Sequence, residues 1–303
     1  MTLKSLARNL LPPGLYPLAL QVAGKSADQQ LKKYHQGGRI PWSEGYLIHK
    51  TQAVAAAIRD RDLLTVFRDR RPLPKNYGLG LDERCVEYPW LFAHLPETAS
   101  TLLDAGSVLN HDYIVSHPYF DSRRLHIVTL SPEAMAYWER GIGYFYDDLR
   151  HLPLRDEFYD AIVCLSTLEH VGLDNSIYTR SSDDIEAKST DFIAALHELR
   201  RVLKPGGALF ISVPFGTYQN FGSFQQFDAA LLNKAIAAFG PAQVVEKTYF
   251  KYFINGWQVA TEADCANCEY VQSDEWFTQT PGKPKPSDGA AAARAVACVH
   301  LLR

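Results

Sequence analysis

Residues 158–172 read FYDAIVCLSTLEHVG, an apolar run that passes directly into a small polar turn and then into Leu168-Glu169-His170. An unbroken run of isoleucine, valine and leucine is typical of a strand buried on both faces, as in a parallel sheet covered by two layers of helices. In such sheets ligands bind in the crevice beyond the carboxyl ends of the strands. The stretch therefore predicts a parallel α/β sheet, and it places residues 166–170 at the edge where a ligand would bind.

Strand and helix patterns alternate on both sides of this stretch. Short β-favouring segments predict strands over residues 101–105, 125–130, 144–146, 159–165, 208–213, 243–250 and 294–302. Ser131-Pro132-Glu133 has the cap and first-turn residues that open a helix. A helix over 191–203 has one apolar face, and Asp228 can cap another that runs to about residue 239. This alternation predicts a doubly wound, mostly parallel α/β sheet.

The first third of the chain has a different pattern. Glycine and proline interrupt it at short intervals, and its pattern predicts one helix over residues 43–68, with the strongest signal at residues 53–58. We expect residues 1–95 to form a mainly helical extension or cap, and residues 96–303 to form the α/β domain. Residues 3–11 are basic and apolar and end at Pro12-Pro13-Gly14, which indicates a short surface helix rather than a signal peptide. The alternative is a helix that contacts a membrane surface.

Composition argues against several classes of protein. The 303 residues are 47% hydrophobic, which argues against disorder, and the net charge of −3 gives no reason to expect a nucleic-acid partner. No apolar run is long enough to predict a transmembrane segment. Five unevenly spaced cysteines are not a disulfide framework and predict a reducing, cytoplasmic location. Cys265 and Cys268 spell CxxC without a second pair of ligands nearby, so we predict ordinary cysteines and no metal site. Nothing in the composition indicates an oligomeric state.

Four segments occur in the order of one family's motifs. They are LLDAGSVLN (102–110), DLRHLP (148–153), FYDAIVCLSTLEHV (158–171) and ALHELRRVLKPGGALFISVP (195–214). Through them, the region from about residue 100 onward resembles the class I S-adenosylmethionine-dependent methyltransferases. The resemblance implies a seven-stranded methyltransferase-type sheet, S-adenosylmethionine as the cofactor, and an enzyme that transfers a methyl group.

The resemblance also implies which residues contact the cofactor. Carried over residue by residue, they are Asp104, Gly106 and Ser107 in the first loop, Thr129 and Leu130 at the second strand, Asp148 and Leu149 in the adenine-binding segment, and Ser166 after the fourth strand. The chain departs from the family at Val108 and Asn110, where glycines are usual, and at Thr129, where an acidic residue usually binds the ribose hydroxyls. A threonine hydroxyl gives a weaker hydrogen bond than a carboxylate. The departures therefore bear on cofactor affinity and leave the predicted fold unchanged.

His170 is the candidate for proton transfer. Histidine titrates near neutral pH and can take a proton from an acceptor hydroxyl. The alternative is a structural histidine that hydrogen-bonds the backbone of the turn, because the Leu-Glu-His turn resembles one that is common in the family whatever the acceptor is. We interpret Glu169 as structural.

Two segments are candidates for acceptor binding. The loop PFGTYQNFGSFQQFD (214–228) interleaves aromatic rings with amides, and with Tyr218 and Phe221 it predicts a pocket for a sugar or a polar aromatic molecule. Before the first strand, Arg84 offers a planar fork for a carboxylate or phosphate, and Tyr88 offers a flat apolar face. The alternatives are a loop anchored on the core and a leader that only seals the extension onto the sheet.

The predicted function is methyl transfer to a small-molecule or glycan-precursor acceptor. The alternative is a non-catalytic, methyltransferase-like subunit that supports a partner, and the departures at Val108, Asn110 and Thr129 motivate it. Binding of S-adenosylmethionine distinguishes the two.

Overall fold

The computed structural model describes residues 27–133, 135–271 and 288–303. Two segments with distinctive sequences, the basic one at residues 3–11 and a polar, proline-rich one near residues 281–287, lie outside the described residues. Within the described part of the chain, no helix is both long enough and apolar enough to cross a membrane.

The leader region folds as helices α1 (Ala27–Gln36), α2 (Tyr46–Ala57), α3 (Arg61–Arg68) and α4 (Arg84–His94). Its helical character is as predicted, but the single helix expected over residues 43–68 is wrong. The side chain of Asp60 accepts hydrogen bonds from the backbone amides of Asp62 and Leu63, both at 3.0 Å. Asp60 therefore caps a new helix, which divides the predicted one into α2 and α3.

The described residues form ten strands, eight of them in one sheet. The strands are β1 (Thr101–Ala105), β2 (Arg124–Thr129), β3 (Gly143–Tyr146), β4 (Tyr159–Leu165), β5 (Leu203–Pro214), β6 (Gln219–Asn220), β7 (Gln225–Gln226), β8 (Val244–Phe253), β9 (Gly256–Ala260) and β10 (Ala295–Leu302). The order in the sheet is β3-β2-β1-β4-β5-β10-β8-β9, and β6 and β7 pair separately.

The predicted doubly wound, mostly parallel sheet is confirmed. Strands β1 to β5 run parallel, and β10 runs antiparallel between β5 and β8. All seven predicted strands are present. The eighth, β9, was missed: it is a five-residue strand at the edge of the sheet that pairs only with β8.

The remaining helices are α5 (Asp112–Val115), α6 (Ser176–Thr179), α7 (Phe192–Val202), α8 (Ala229–Phe239) and α9 (Glu262–Cys265). The prediction of α8 is confirmed, with the Asp228 side chain accepting the Leu231 amide at 2.8 Å as its cap. The helix predicted from Ser131 is wrong, since the described residues 131–133 and 135–137 are irregular. Ser131 Oγ donates instead to the carbonyl of Tyr178 at 3.0 Å and is not used as a cap.

A hydrophobic core covers each face of the sheet. On β4, Val163 packs with the helical extension and Ile162 packs with α7 and α8, as alternate residues of a strand must. Trp90 of α4, 1% exposed, belongs to the same core as Val163. Burying such a ring stabilises the fold by a few kcal/mol, about 1.5–3 for a large apolar side chain. The extension is therefore packed firmly on the sheet, and the division at residue 95 stays a prediction.

The topology determines where a ligand would bind. Because β1 to β5 are parallel, their last residues, Ala105, Thr129, Tyr146, Leu165 and Pro214, end at one edge. The crevice beyond that edge is the expected ligand position in a doubly wound sheet.

Candidate active site at the carboxyl edge of the sheet

A buried carboxyl group orders the loop after β1. Asp104 is fully buried and accepts hydrogen bonds from the backbone amides of Val108 at 3.1 Å and Leu109 at 2.7 Å. Burial raises the pKa of Asp104 to about 8, and the two amides act against that rise. Asp104 thus holds the loop in shape from beneath.

Gly106 brings this loop against the turn after β4. Its φ is +114°, and a Cβ there would lie 2.2 Å from Thr167 Oγ1 and 2.4 Å from Thr167 Cγ2. Ser107 follows with φ 64°. Only glycine fits the first position, because both the backbone angle and the space exclude a side chain. The loop after β1 and the turn after β4, which the sequence analysis treated separately, form one contiguous surface.

The end of β2 carries an apolar side chain and, slightly further on, a carboxylate. Thr129 is half-buried, and Leu130 is 37% exposed. Glu133 lies in the irregular segment where a helix was expected. Burial raises the pKa of Glu133, and the neighbouring side chains of Ser107 and Asn110 lower it. A carboxylate therefore lies beside the loop after β1, although not at position 129.

Asn110, one of the positions where the family resemblance led us to expect glycine, holds that carboxylate. Its Nδ2 donates to Glu133 Oε2 at 2.7 Å and to the carbonyl of Met135 at 3.0 Å. Its Oδ1 accepts the hydroxyl of Tyr144 at 2.8 Å. The Asn110 side chain thus ties the end of the loop to the segment after β2 and to β3.

Asp148, after β3, is already paired. Its Oδ2 lies 2.6 Å from Arg150 Nη2, and Arg150 Nη1 lies 2.7 Å from both Glu186 and Asp191. Burial alone would raise the pKa of Asp148, but the hydrogen bonds from Arg150 bring it below its ordinary value. Neighbouring Leu149 is 7% exposed and packs in the core. An adenine contact by Asp148 would share this carboxylate with Arg150.

A buried glutamate missed by the sequence analysis joins the extension to the strand ends. Glu87 of α4 is 0% exposed, and its Oε2 accepts Arg84 Nη1 at 2.7 Å. Its Oε1 accepts the hydroxyls of Ser166 at 2.7 Å and Ser212 at 2.5 Å. A glutamate three residues after an arginine on a helix is a recognisable ion-pair spacing, so a signal for Glu87 was present. Ser166, which has φ 40°, is thereby held by α4.

His170 is oriented by the backbone of the loop at residues 214–228, which we call the aromatic loop. Its Nδ1 lies 2.8 Å from the carbonyl of Ser223. A carbonyl only accepts hydrogen bonds, so Nδ1 carries the proton and Nε2 is the bare nitrogen of the neutral ring. Burial, against the hydrogen bond to Ser223 and together with the charge of nearby Arg84, lowers the pKa of His170 to about 4. The imidazole is therefore neutral at physiological pH.

The aromatic side chains of this loop do not all lie together. The rings of Phe221 and Phe224 stack with centroids 4.6 Å apart, and Phe224 lies 4.8 Å from Tyr270 and 5.8 Å from His170. We call Phe221, Phe224 and Tyr270 the aromatic cluster. Arg84 lowers the pKa of Tyr270 against the rise that burial causes, so Arg84 lies near this cluster. Tyr218 is 45% exposed and is not part of the cluster.

Tyr88 is held in the core. It is 1% exposed, and its hydroxyl donates to the carbonyl of Val108 at 2.6 Å. It supports the loop after β1 from the side of the extension, which is the sealing role described as the alternative for this segment. We leave Tyr88 out of the acceptor site proposed below.

The CxxC cysteines are buried thiols. Burial raises the pKa of Cys265 to about 12 and raises that of Cys268. In the part of the chain that the structure describes, no group of three or more histidine, cysteine, aspartate or glutamate side chains is arranged to hold a metal ion.

Part of the α/β region is similar to a known protein family. Residues 105–211 match a family model described as a methyltransferase domain. No curated protein is significantly similar to the chain in sequence.

Solved structures with a similar fold are distant in sequence. One is the Burkholderia thailandensis 1,6-didemethyltoxoflavin-N1-methyltransferase, with bound 1,6-didemethyltoxoflavin and S-adenosylhomocysteine: 15% identity over 97% of this chain and 91% of that one, with a TM-score of 0.41. Another is a Thermotoga maritima S-adenosylmethionine-dependent methyltransferase, a possible histamine N-methyltransferase: 14% identity, 83% and 98% coverage, TM-score 0.40. A third is the [4+2]-cyclase SpnF, with 18% identity, 67% and 74% coverage and a TM-score of 0.40.

Proposed function

We propose that the chain is a class I S-adenosylmethionine-dependent methyltransferase, with S-adenosylmethionine as its cofactor, and that it methylates a small polar acceptor at the carboxyl edge of its sheet. The observation that carries the proposal is the meeting of two elements. The loop after β1, ordered by Asp104, touches the turn that presents His170 through the contact of Gly106 with Thr167.

The residues at this edge fit the cofactor chemically. The left-handed backbone at Gly106 and Ser107 leaves no side chain between the loop and the β4 turn. Leu130 exposes an apolar surface suited to a purine ring, and the carboxyl group of Glu133 follows three residues later in the chain. We propose that the cofactor is held by the residues that the resemblance implied, namely Asp104, Gly106, Ser107, Thr129, Leu130, Asp148, Leu149 and Ser166.

The acceptor site is proposed between α4 and the aromatic loop. Arg84 uses one amino group on Glu87, and its planar guanidinium has further N–H donors for a carboxylate, a phosphate or a sugar hydroxyl. Phe221 and its stacked partner Phe224 provide an apolar face for a sugar ring or an aromatic acceptor. Tyr218 lies at the open side of the same loop, where it can contact an acceptor that extends into solvent.

The main role of the protein in this reaction is to position the acceptor. When bound, S-adenosylmethionine supplies an electrophilic methyl group on a sulfonium. The chain must hold the acceptor oxygen or nitrogen in line and exclude water, which can account for most of the acceleration. Because His170 Nδ1 is committed to Ser223, its Nε2 is the atom that can take a proton from the acceptor as the bond to carbon forms. A pKa of about 4 makes His170 a weak base, suited to an acceptor that loses its proton late.

The five cysteines support a cytoplasmic location in this proposal. All are free and buried in the structure, as expected of thiols in a reducing compartment.

The proposal is tested by incubating the full chain with S-adenosylmethionine and a panel of small acceptors, followed by mass spectrometry. The panel contains sugar phosphates, neutral sugars, phenols and heteroaromatic carboxylates. We expect one acceptor class to gain a single methyl group, with His170→Asn lowering turnover and Glu139→Gln, an exposed control, leaving it unchanged. Tight cofactor binding with no methylated product from any class would favour the non-catalytic subunit instead.

A further inference from the structure

We propose that Glu133 supplies the carboxylate that binds the ribose hydroxyls of the cofactor, and that Asn110 is the positioning residue that holds it there. The inference rests on the proposed function, because it assumes that S-adenosylmethionine binds over the loop after β1. It moves the ribose contact from Thr129, the position that the resemblance implied, to a residue four positions further along.

The hydrogen-bond network determines how the Asn110 amide is oriented. The hydroxyl of Tyr144 accepts the backbone amide of Tyr137 at 2.8 Å, so its own proton is available for Asn110 Oδ1, also at 2.8 Å. With Oδ1 committed to Tyr144, the Nδ2 side faces Glu133 and the Met135 carbonyl. Both amide protons of Asn110 are thus used, one of them to hold the glutamate.

This arrangement leaves Glu133 with acceptor capacity. A carboxylate has about four lone-pair sites on its two oxygens. Asn110 occupies one of them on Oε2, and the Ser107 side chain lies beside the same carboxylate. A vicinal diol such as that of a ribose needs two acceptors, which the remaining sites can provide. A charge-assisted bond from a hydroxyl to a carboxylate is about twice as strong as one to a neutral oxygen.

The same geometry gives a single reason for two departures in the sequence. A glycine at position 110 would have no amide to hold Glu133, and a helix starting at Ser131 would not place Glu133 in this irregular segment. The asparagine at position 110 and the threonine at position 129 thus have one explanation. The carboxylate that binds the ribose is at position 133 instead of position 129, and Asn110 holds it there.

The test measures binding of S-adenosylhomocysteine by titration calorimetry, with its 2′,3′-dideoxy analogue as a second ligand. Glu133→Gln should weaken S-adenosylhomocysteine roughly tenfold, the value of one charge-assisted bond. It should leave the affinity for the dideoxy analogue within about twofold, because that ligand has no ribose hydroxyls for Glu133 to bind. Glu139→Gln removes an equal charge at an exposed site and should change neither.

Two further variants separate the inference from its rival. Asn110→Gly restores the usual loop residue but releases Glu133, so it should weaken S-adenosylhomocysteine and spare the analogue. Thr129→Asp should not tighten binding in the parent chain, because a second carboxylate would repel Glu133, but it should restore affinity in the Glu133→Gln background. If Thr129→Asp tightens the parent and Glu133→Gln has no effect, the ribose contact is at position 129 and the inference is wrong. If the parent binds neither ligand, the proposed function fails before the inference is reached.

Discussion

Gly106→Ala tests the close approach of the loop after β1 to Thr167 in the proposed site. The new Cβ would lie 2.2 Å from Thr167 Oγ1 and 2.4 Å from Thr167 Cγ2, and the alanine would have to adopt a φ of +114°. The backbone conformation costs about 1–3 kcal/mol for a residue other than glycine. Forcing a methyl group into a packed position costs about 1–3 kcal/mol more. We therefore expect the free energy of unfolding to fall by about 2–6 kcal/mol.

Thr167→Ala in the same chain separates the two costs. It removes the two closest atoms and keeps Thr167 Cβ, at 2.8 Å. Alone it loses the hydroxyl bond to the Leu165 carbonyl, 2.9 Å long, for about 1 kcal/mol. Because Cβ stays in place, the double variant should recover part of the steric cost of about 1–3 kcal/mol when all four chains are compared by urea unfolding. Strict additivity of the two single losses would refute the reasoning, because the contact with Thr167 would then not restrict position 106.

Three other predictions concern charge. Asp104 has a pKa of about 8 in the folded protein and an ordinary value of 3.8, so its contribution to stability falls as pH rises from about 4 to 8. Asp104→Asn should therefore reduce the loss of unfolding free energy between pH 5 and pH 8, measured in urea. His170 has a pKa of about 4 against 6.5, so its contribution to stability is lost as pH falls from about 6.5 towards 4; His170→Asn should flatten that part of the profile by about 1–3 kcal/mol, and an unchanged profile would contradict the burial. Arg84→Lys keeps the charge that Glu87 needs and removes the planar fork, so KM for an anionic acceptor should rise roughly tenfold with little change in melting temperature.

The sequence predicted the sheet well because its strands carry strong local signals. Ile162, Val163 and their neighbours are buried on both faces, and a buried parallel strand reads as a continuous apolar run. The cap at Asp228 was also predicted, since capping depends on residues within one turn. Elements that depend on distant partners were missed. Ser131 has the residue type of a cap, but its hydroxyl bonds to the Tyr178 carbonyl, 47 residues away.

The site residues stay a prediction, and the contacts that hold them in the structure were not predicted. Alignment with the family pattern pointed to Asp104, Gly106 and the turn at His170, which the structure brings to one edge. Glu87 and Glu133 act through side chains from other elements, Ser212 on β5 and Asn110 after β1. A local sequence pattern does not indicate these contacts, because the folded sheet brings the residues together. In the sheet, β4 lies between β1 and β5, and β2 lies next to β1.

The measurement that tests the central claim most directly is a crystal structure of the full chain with S-adenosylhomocysteine. We predict density for the ligand beyond the ends of β1, β2 and β4, with its homocysteine part over Gly106, its ribose at Glu133 and its adenine near Leu130. Density for the ligand at any other place on the molecule, or no density at saturating concentration, would contradict the account.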